Sequence, residues 1–143
     1  MNDHRQGEMA SVKDRNKALV EAFYDALTRS DFEAVGEMCH EDFVFYGQID
    51  TPRPGASGFI DAERRHLEVF ADLTMTVERL VVEGNSVAAY VVVEGDQIGE
   101  YYGVPPRGKH LRMSMCNLLT IKDGKVIEKR AHYDRMDHVQ QLS

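Results

Sequence analysis

HLRMSMCNLLTIKDGKVIEKRAHYD, residues His110 to Asp134, reads as two β-strands joined at Lys122–Lys125, with Asp123-Gly124 as the turn signal. Side chains alternate along a strand, so the register around that turn decides which residues face a core. Two registers fit the residues. A two-residue turn pairs Lys122 with Lys125, setting Asn117 opposite Arg130, Met115 opposite His132 and Met113 opposite Asp134. A three-residue turn with Gly124 as a left-handed bulge residue pairs Ile121 with Lys125. Asn117 then faces Lys129, Met115 faces Ala131 and Met113 faces Tyr133. The faces are exchanged between the two, and with them the surroundings of His132 and Asp134.

Working outward, the chain is almost entirely strand after Leu73: TMTVERLVV, a turn at EGNS, VAAYVVVEG and then QIGEYYG, with VPPRGK as a connection. The first half is helical. Leu19, Phe23 and Leu27 recur at steps of four, Ser30 and Glu33 form a capping box opening a short second helix, and EDFVFYG is a strand. QIDTPRPGASG is a long loop, and FIDAERRHLEVFADL returns to helical spacing through Ile60, Leu67 and Phe70. Residues 1–13 are polar and without period, which predicts a flexible tail before one domain over 14–143. Helices first and antiparallel strands after predict an α+β architecture, with a twisted sheet curling around the helices.

The 143 residues are 43% hydrophobic and 29% charged, ordinary for a globular domain. A net charge of −7 argues against a nucleic-acid partner, which requires a basic surface. The basic clusters ERRH (Glu63–His66) and RGKHLR (Arg107–Arg112) read as solvated faces. No apolar run approaches the roughly 20 residues of a membrane span, and the start lacks the apolar centre of a secretory signal. A cytoplasmic location follows as the expectation, with Cys39 and Cys116 as buried free thiols. The scattered histidines suggest no metal site, and no glycine-rich phosphate loop or other cofactor motif is present.

GEYYGVPPRGK (Gly99–Lys109), then IKDGKVIE with a following QQL, together with the helical opening LVEAFYDALTRSDFEAVGEMCHEDFVF, resembles the SnoaL-like proteins. These lie within the fold group of nuclear transport factor two and ketosteroid isomerase. The resemblance covers about residues 16–142. It implies a cone, cystatin-like in class: a curved antiparallel sheet wrapped on N-terminal helices around a small-molecule pocket, dimerising through the sheet's outer face. In the polyketide-cyclase members, a histidine on the penultimate strand and an aspartate on the last one share that pocket. Those positions fall on Asn117 and Ala131 here. Only the bulged register puts them on one face, so the resemblance favours it, with Met113, Met115, Asn117, Leu119, Ile127, Ala131 and Tyr133 lining the pocket.

Alanine has no proton to give, and an asparagine does not titrate near neutral pH, so the cyclase acid/base pair is missing. The favoured reading is binding of a small, largely apolar, polyketide-like or carbonyl-bearing molecule. Asn117 is then a candidate oxyanion donor. The expected ligand contacts are Phe45, Tyr90, Met113, Met115, Asn117, Ala131 and Tyr133. Met75 and Met38 add pliable apolar surface, and Tyr24 and Tyr46 add hydroxyls; His66 and His40 can reach the mouth. The alternative is a cofactor-free isomerase, dehydratase or cyclase using His132 and Asp134, with Arg130 beside them. A second alternative is a non-catalytic dimeric interaction module.

Overall fold

Buried side chains at Asn16, Val20, Phe23, Tyr24 and Leu27 trace one stripe of the first helix, α1 (Asn2–Thr28). The computed structural model describes the backbone of residues 2–143 and the side chains of residues 11–143. Helix α1 thus occupies backbone where a tail is expected, although its residues 11–15 are exposed and its packing begins at Asn16. Its end is a left-handed turn at Ser30 (φ 57°), with Ser30 N–H donating to the Leu27 carbonyl and Asp31 N–H to that of Ala26. Ser30 therefore closes α1 instead of opening α2 (Phe32–Met38). The α2 cap is Asp31, whose carboxylate accepts from Ala34 N–H at 3.2 Å.

Strands β1 (Cys39–Tyr46), β2 (Pro52–Pro54), β3 (Phe70–Glu83), β4 (Ser86–Gln97), β5 (His110–Lys122) and β6 (Lys125–His132) form one curved, unclosed sheet. Their order is β2-β1-β6-β5-β4-β3. The sheet is mixed where a purely antiparallel one is expected: β1 runs parallel to β6, and the other neighbours are antiparallel. Nothing local constrains that pair, because everything from β2 to β5 lies between its strands in the sequence. Irregular pairing in β1, β3 and the β5–β6 hairpin bends the strands around the helices.

Helix α3 (Ala56–Glu68) is shorter than its apolar spacing suggests, because Phe70 already belongs to β3. The expected loop from Gln48 to Gly58 contains β2 and the start of α3. QIGEYYG is not a strand beyond Gln97. Gln97 is buried, and its amide donates to the carbonyls of Gly99 and Val104 at 2.9 and 2.8 Å. Tyr101 and Val104 bridge a tight turn whose central residues, Tyr102 and Gly103, both have positive φ. A fourth helix, α4 (Arg135–Leu142), follows β6 and was not anticipated from the sequence. The expected α+β cone is thus present, with an apolar core of α1, α2, α3 and the sheet's inner face. A second apolar cluster, Phe70, Tyr101, Val104, Leu111 and Leu142, closes the other end. No helix is long and apolar enough to cross a membrane among the described residues.

Candidate functional site

The β5–β6 hairpin adopts neither of the two registers. Lys122 pairs with Lys125 across a two-residue turn, in which Asp123 (φ 53°) and Gly124 (φ 74°) are both left-handed. One residue later the ladder slips: Ile121 pairs with Val126 but Thr120 pairs with Glu128, leaving Ile127 as a bulge. The bulge that the resemblance required is therefore in β6 and not in the turn. Its effect on the faces is the same. Asn117 stands opposite Ala131 and Leu119 opposite Lys129, all four buried on the inner face. Ile127, expected on that face, is the bulge residue itself.

Between this face and α3 lies a cavity of about 250 Å³. Phe45, Met113, Met115, Ala131 and Tyr133 line it, as does Met75. Asn117, Tyr90 and Met38 stand elsewhere, and Leu119, Tyr24, Tyr46 and His40 do not line it either. Asn117 is fully buried deeper in the cone, where its Nδ2 donates to Tyr24 Oη at 2.7 Å; its Oδ1 has no partner among the described residues. An amide held behind a buried tyrosine does not reach the cavity. Tyr90 is 45% exposed on the outer face, paired with Cys116, which is itself exposed rather than buried. Met38 packs against the apolar core and not against the cavity.

His132 lies opposite Cys116, exposed on the sheet's outer face, because the β6 bulge gives the inner positions to Lys129 and Ala131. Asp134 caps α4, accepting from Asp137 N–H at 3.2 Å. The two border a shallow outer groove together with Tyr90 and Ser114, and no hydrogen bond or ion pair joins them. The dyad of the enzymatic alternative is not in the cone.

Other titratable groups are. Glu63 and His66 lie one turn apart on α3 and line the cavity, where the sequence suggests a solvated basic run. Phe59, Ala62, Glu63 and His66 share one helical face, so the buried Phe59 and Ala62 turn the charged pair inward. Burial pushes the His66 imidazolium below its ordinary range, as do Arg135, Arg65 and Arg53; the Glu63 carboxylate opposes them. At the mouth, Tyr102 and Tyr133 meet hydroxyl to hydroxyl at 3.3 Å, with the Arg135 guanidinium 4.0 Å over the Tyr102 ring. Burial, then Tyr133, pushes the Tyr102 hydroxyl up to about 12. Tyr101 Oη meets His138 Nδ1 at 3.0 Å, tying α4 to the loop after β4.

Lys129 is the largest omission of the sequence reading. It lines the cavity yet is 2% exposed, and its Nζ lies 5.2 Å from the Phe45 and Phe59 rings and 5.9 Å from that of Tyr24. Desolvation pushes the ammonium down from its ordinary value, opposed by the Glu63 carboxylate and the Cys39 sulfur. The same burial pushes the Cys39 thiol up to about 11. The only signal in the sequence was parity: Lys129 is two places from Ala131, already expected inward.

Comparison with known proteins agrees with this architecture. Residues 17–142 match the model of the family described as SnoaL-like polyketide cyclase. A SnoaL-like polyketide-cyclase candidate from Jannaschia sp. CCS1 superposes with a TM-score of 0.84 at 26% identity, over 92% of this chain and 94% of the other. IdmH, a polyketide-cyclase candidate from Streptomyces antibioticus, gives 0.79 at 28% identity, over 89% and 97%. An epoxide hydrolase of M. tuberculosis shares the fold at 18% identity, with a TM-score of 0.72 over 91% of this chain and 90% of that one. No curated protein matches the chain. A match spanning nearly the whole domain makes the chain a member of the SnoaL-like polyketide cyclase family.

Proposed function

We propose that this protein binds a small, largely apolar, carbonyl-bearing molecule in the cone and performs cofactor-free proton-transfer chemistry on it, of the isomerisation or cyclisation kind. One observation carries the reading: Glu63, His66 and Lys129 line a cavity whose wall is largely apolar, while Arg53, Glu94, Arg135 and three tyrosines complete its lining. The apolar walls at Met75, Met113, Met115 and Phe45 suit a flat hydrophobic body. Lys129, held among aromatic rings, suits the polar end of such a ligand: an N–H aimed at a carbonyl oxygen stabilises the enolate that forms when the adjacent carbon loses a proton. His66, held neutral by burial, is available as the base that takes it. These roles fall to residues other than the family's histidine and aspartate positions, which carry Asn117 and Ala131.

A cytoplasmic homodimer is the accompanying proposal. Its interface would be the outer face of the sheet, where Val81, Tyr90 and Leu118 are exposed. Light scattering on the purified chain tests it.

Methionine-methyl NMR tests the binding reading. Titration with 1-tetralone, an aromatic ketone, is expected to move the methyl signals of Met75, Met113 and Met115. That of Met136, which is 73% exposed on α4, is expected to stay. Movement confined to Met136, or none, would remove the cavity as the binding site.

A further inference from the structure

We infer that Lys129 is a nucleophilic amine that forms a covalent carbon–nitrogen bond with a β-dicarbonyl ligand bound in the cone. The inference rests on the proposed function and names the substrate class more closely. Of the other lysines, Lys13, Lys109, Lys122 and Lys125 are exposed and Lys17 is half-buried on α1. Lys129 alone faces the cavity.

The geometry supplies what amine catalysis requires. Nucleophilic attack needs the free base, and an ammonium surrounded by rings instead of water loses its main stabilisation. The groups facing Lys129 come from every neighbouring element: Tyr24 on α1, Cys39 and Phe45 on β1, and Phe59 and Glu63 on α3. Only Glu63 among them carries a formal charge at neutral pH. It lines the cavity without forming an ion pair with Lys129. Leu119 is the cross-strand neighbour on β5 and carries no polar group. The amine is thus flanked by aromatic faces and borders the cavity, from which a ligand carbonyl can reach it.

The step balances without a co-reactant. The Lys129 nitrogen lone pair attacks one carbonyl carbon, and the carbon–oxygen π pair moves onto oxygen. One nitrogen-bound proton passes to that oxygen. A further proton, taken from solvent through the open cavity and returned to it after the last step, lets that oxygen leave as water while the nitrogen lone pair closes the C=N bond. The resulting iminium loses a proton from the carbon between the carbonyls to the Glu63 carboxylate. The product is an enaminone, and the sum is amine plus diketone giving enaminone plus water. The doubly activated carbon of a β-dicarbonyl makes this product stable enough to isolate, whereas a simple ketone returns to free amine.

The probe is 1-phenylbutane-1,3-dione, incubated with the full chain at neutral pH. The expected result is an enaminone absorbance band and a mass gain of one probe less one water, mapped by peptide sequencing to Lys129. Labelling of Lys129 is expected to exceed that of any exposed lysine by about tenfold, because a probe bound in the cavity is held against this amine alone. K129M and K129Q are expected to lose the band while retaining the circular dichroism of the parent chain. Labelling spread over the exposed lysines, or absent from Lys129, overturns the inference. Because the mapping is done on the unmodified sequence, it decides the matter even if neither variant folds. Methyl shifts without an adduct would leave the binding reading standing and remove only the covalent step. Absence of both would remove the two together.

Discussion

Lys129 and Arg130 are adjacent cations on β6, and the strand sends them to opposite fates. Lys129 points inward among three aromatic rings, with no carboxylate at bonding distance. Arg130 points outward, pairs with Glu128 at 2.6 Å and lies 3.9 Å over the Tyr46 ring. Water, a carboxylate and a ring face keep Arg130 an ordinary surface charge. Its neighbour gives up hydration for contacts that replace only part of it. One step along a strand thus separates a charge that stabilises little from one held at a cost, and costly polar groups concentrate at functional sites.

The comparison can be broken most forcefully at Phe59. It is fully buried, stacked on Phe23 at 6.0 Å and tilted against Phe43 and Phe45 at 5.5 and 5.0 Å. Phe59→Ala is expected to cost about 3–5 kcal/mol in urea denaturation. It also opens one wall of the Lys129 environment to water.

The contrast itself is sharpened by paired substitutions. Lys129→Met places apolar volume where a desolvated amine stands and is expected to raise stability by about 1–3 kcal/mol. Arg130→Met is expected to change it by no more than about 0.5 kcal/mol, the usual worth of a surface pair. Equal effects in the same denaturation experiment would mean that the two faces do not differ as described.

The smallest effect is a pH dependence. Burial holds His66 and His138 below their ordinary range, so on acidification the unfolded chain takes up protons first. Their contribution is complete above a pH of about 6.5, the unfolded value, and shrinks as pH falls toward the folded values. His110, raised by Glu94 and Asp96, works in the opposite sense, losing its contribution as pH rises through its folded value. His66→Gln is therefore expected to flatten the acid-side loss in denaturation midpoints taken from pH 7 down to about 5. An unchanged slope would place the imidazole in water.

Much of the inner face was legible in advance. Met113, Met115, Ala131 and Tyr133 follow from alternation alone, and their common side needed only the resemblance to choose it. Other features were not legible. Lys129 carries the same parity as Ala131, but a lysine in a charged run reads as solvated unless the burial of its neighbours is known. Glu63 was hidden in ERRH for the same reason, and His66, expected to reach only the mouth, lines the cavity itself, since α3 turns both inward through Phe59 and Ala62. Asp134 read as a strand residue because the capping pattern Asp134–Asp137 and the apolar step from His138 to Leu142 are too short to announce a helix.

By itself the sequence determined the first three helices, the five longer strands, the Asp123-Gly124 turn and the family, because periodicity and turn chemistry are local properties of the chain. The resemblance added the expectation that the family's acid/base positions fall on Asn117 and Ala131. The tertiary structure decided the rest: the bulge at Ile127, the parallel pairing of β1 with β6, the seclusion of Asn117 behind Tyr24, and the group that faces the cavity. Those outcomes depend on contacts between residues far apart in the chain, and a buried charge is defined by what surrounds it.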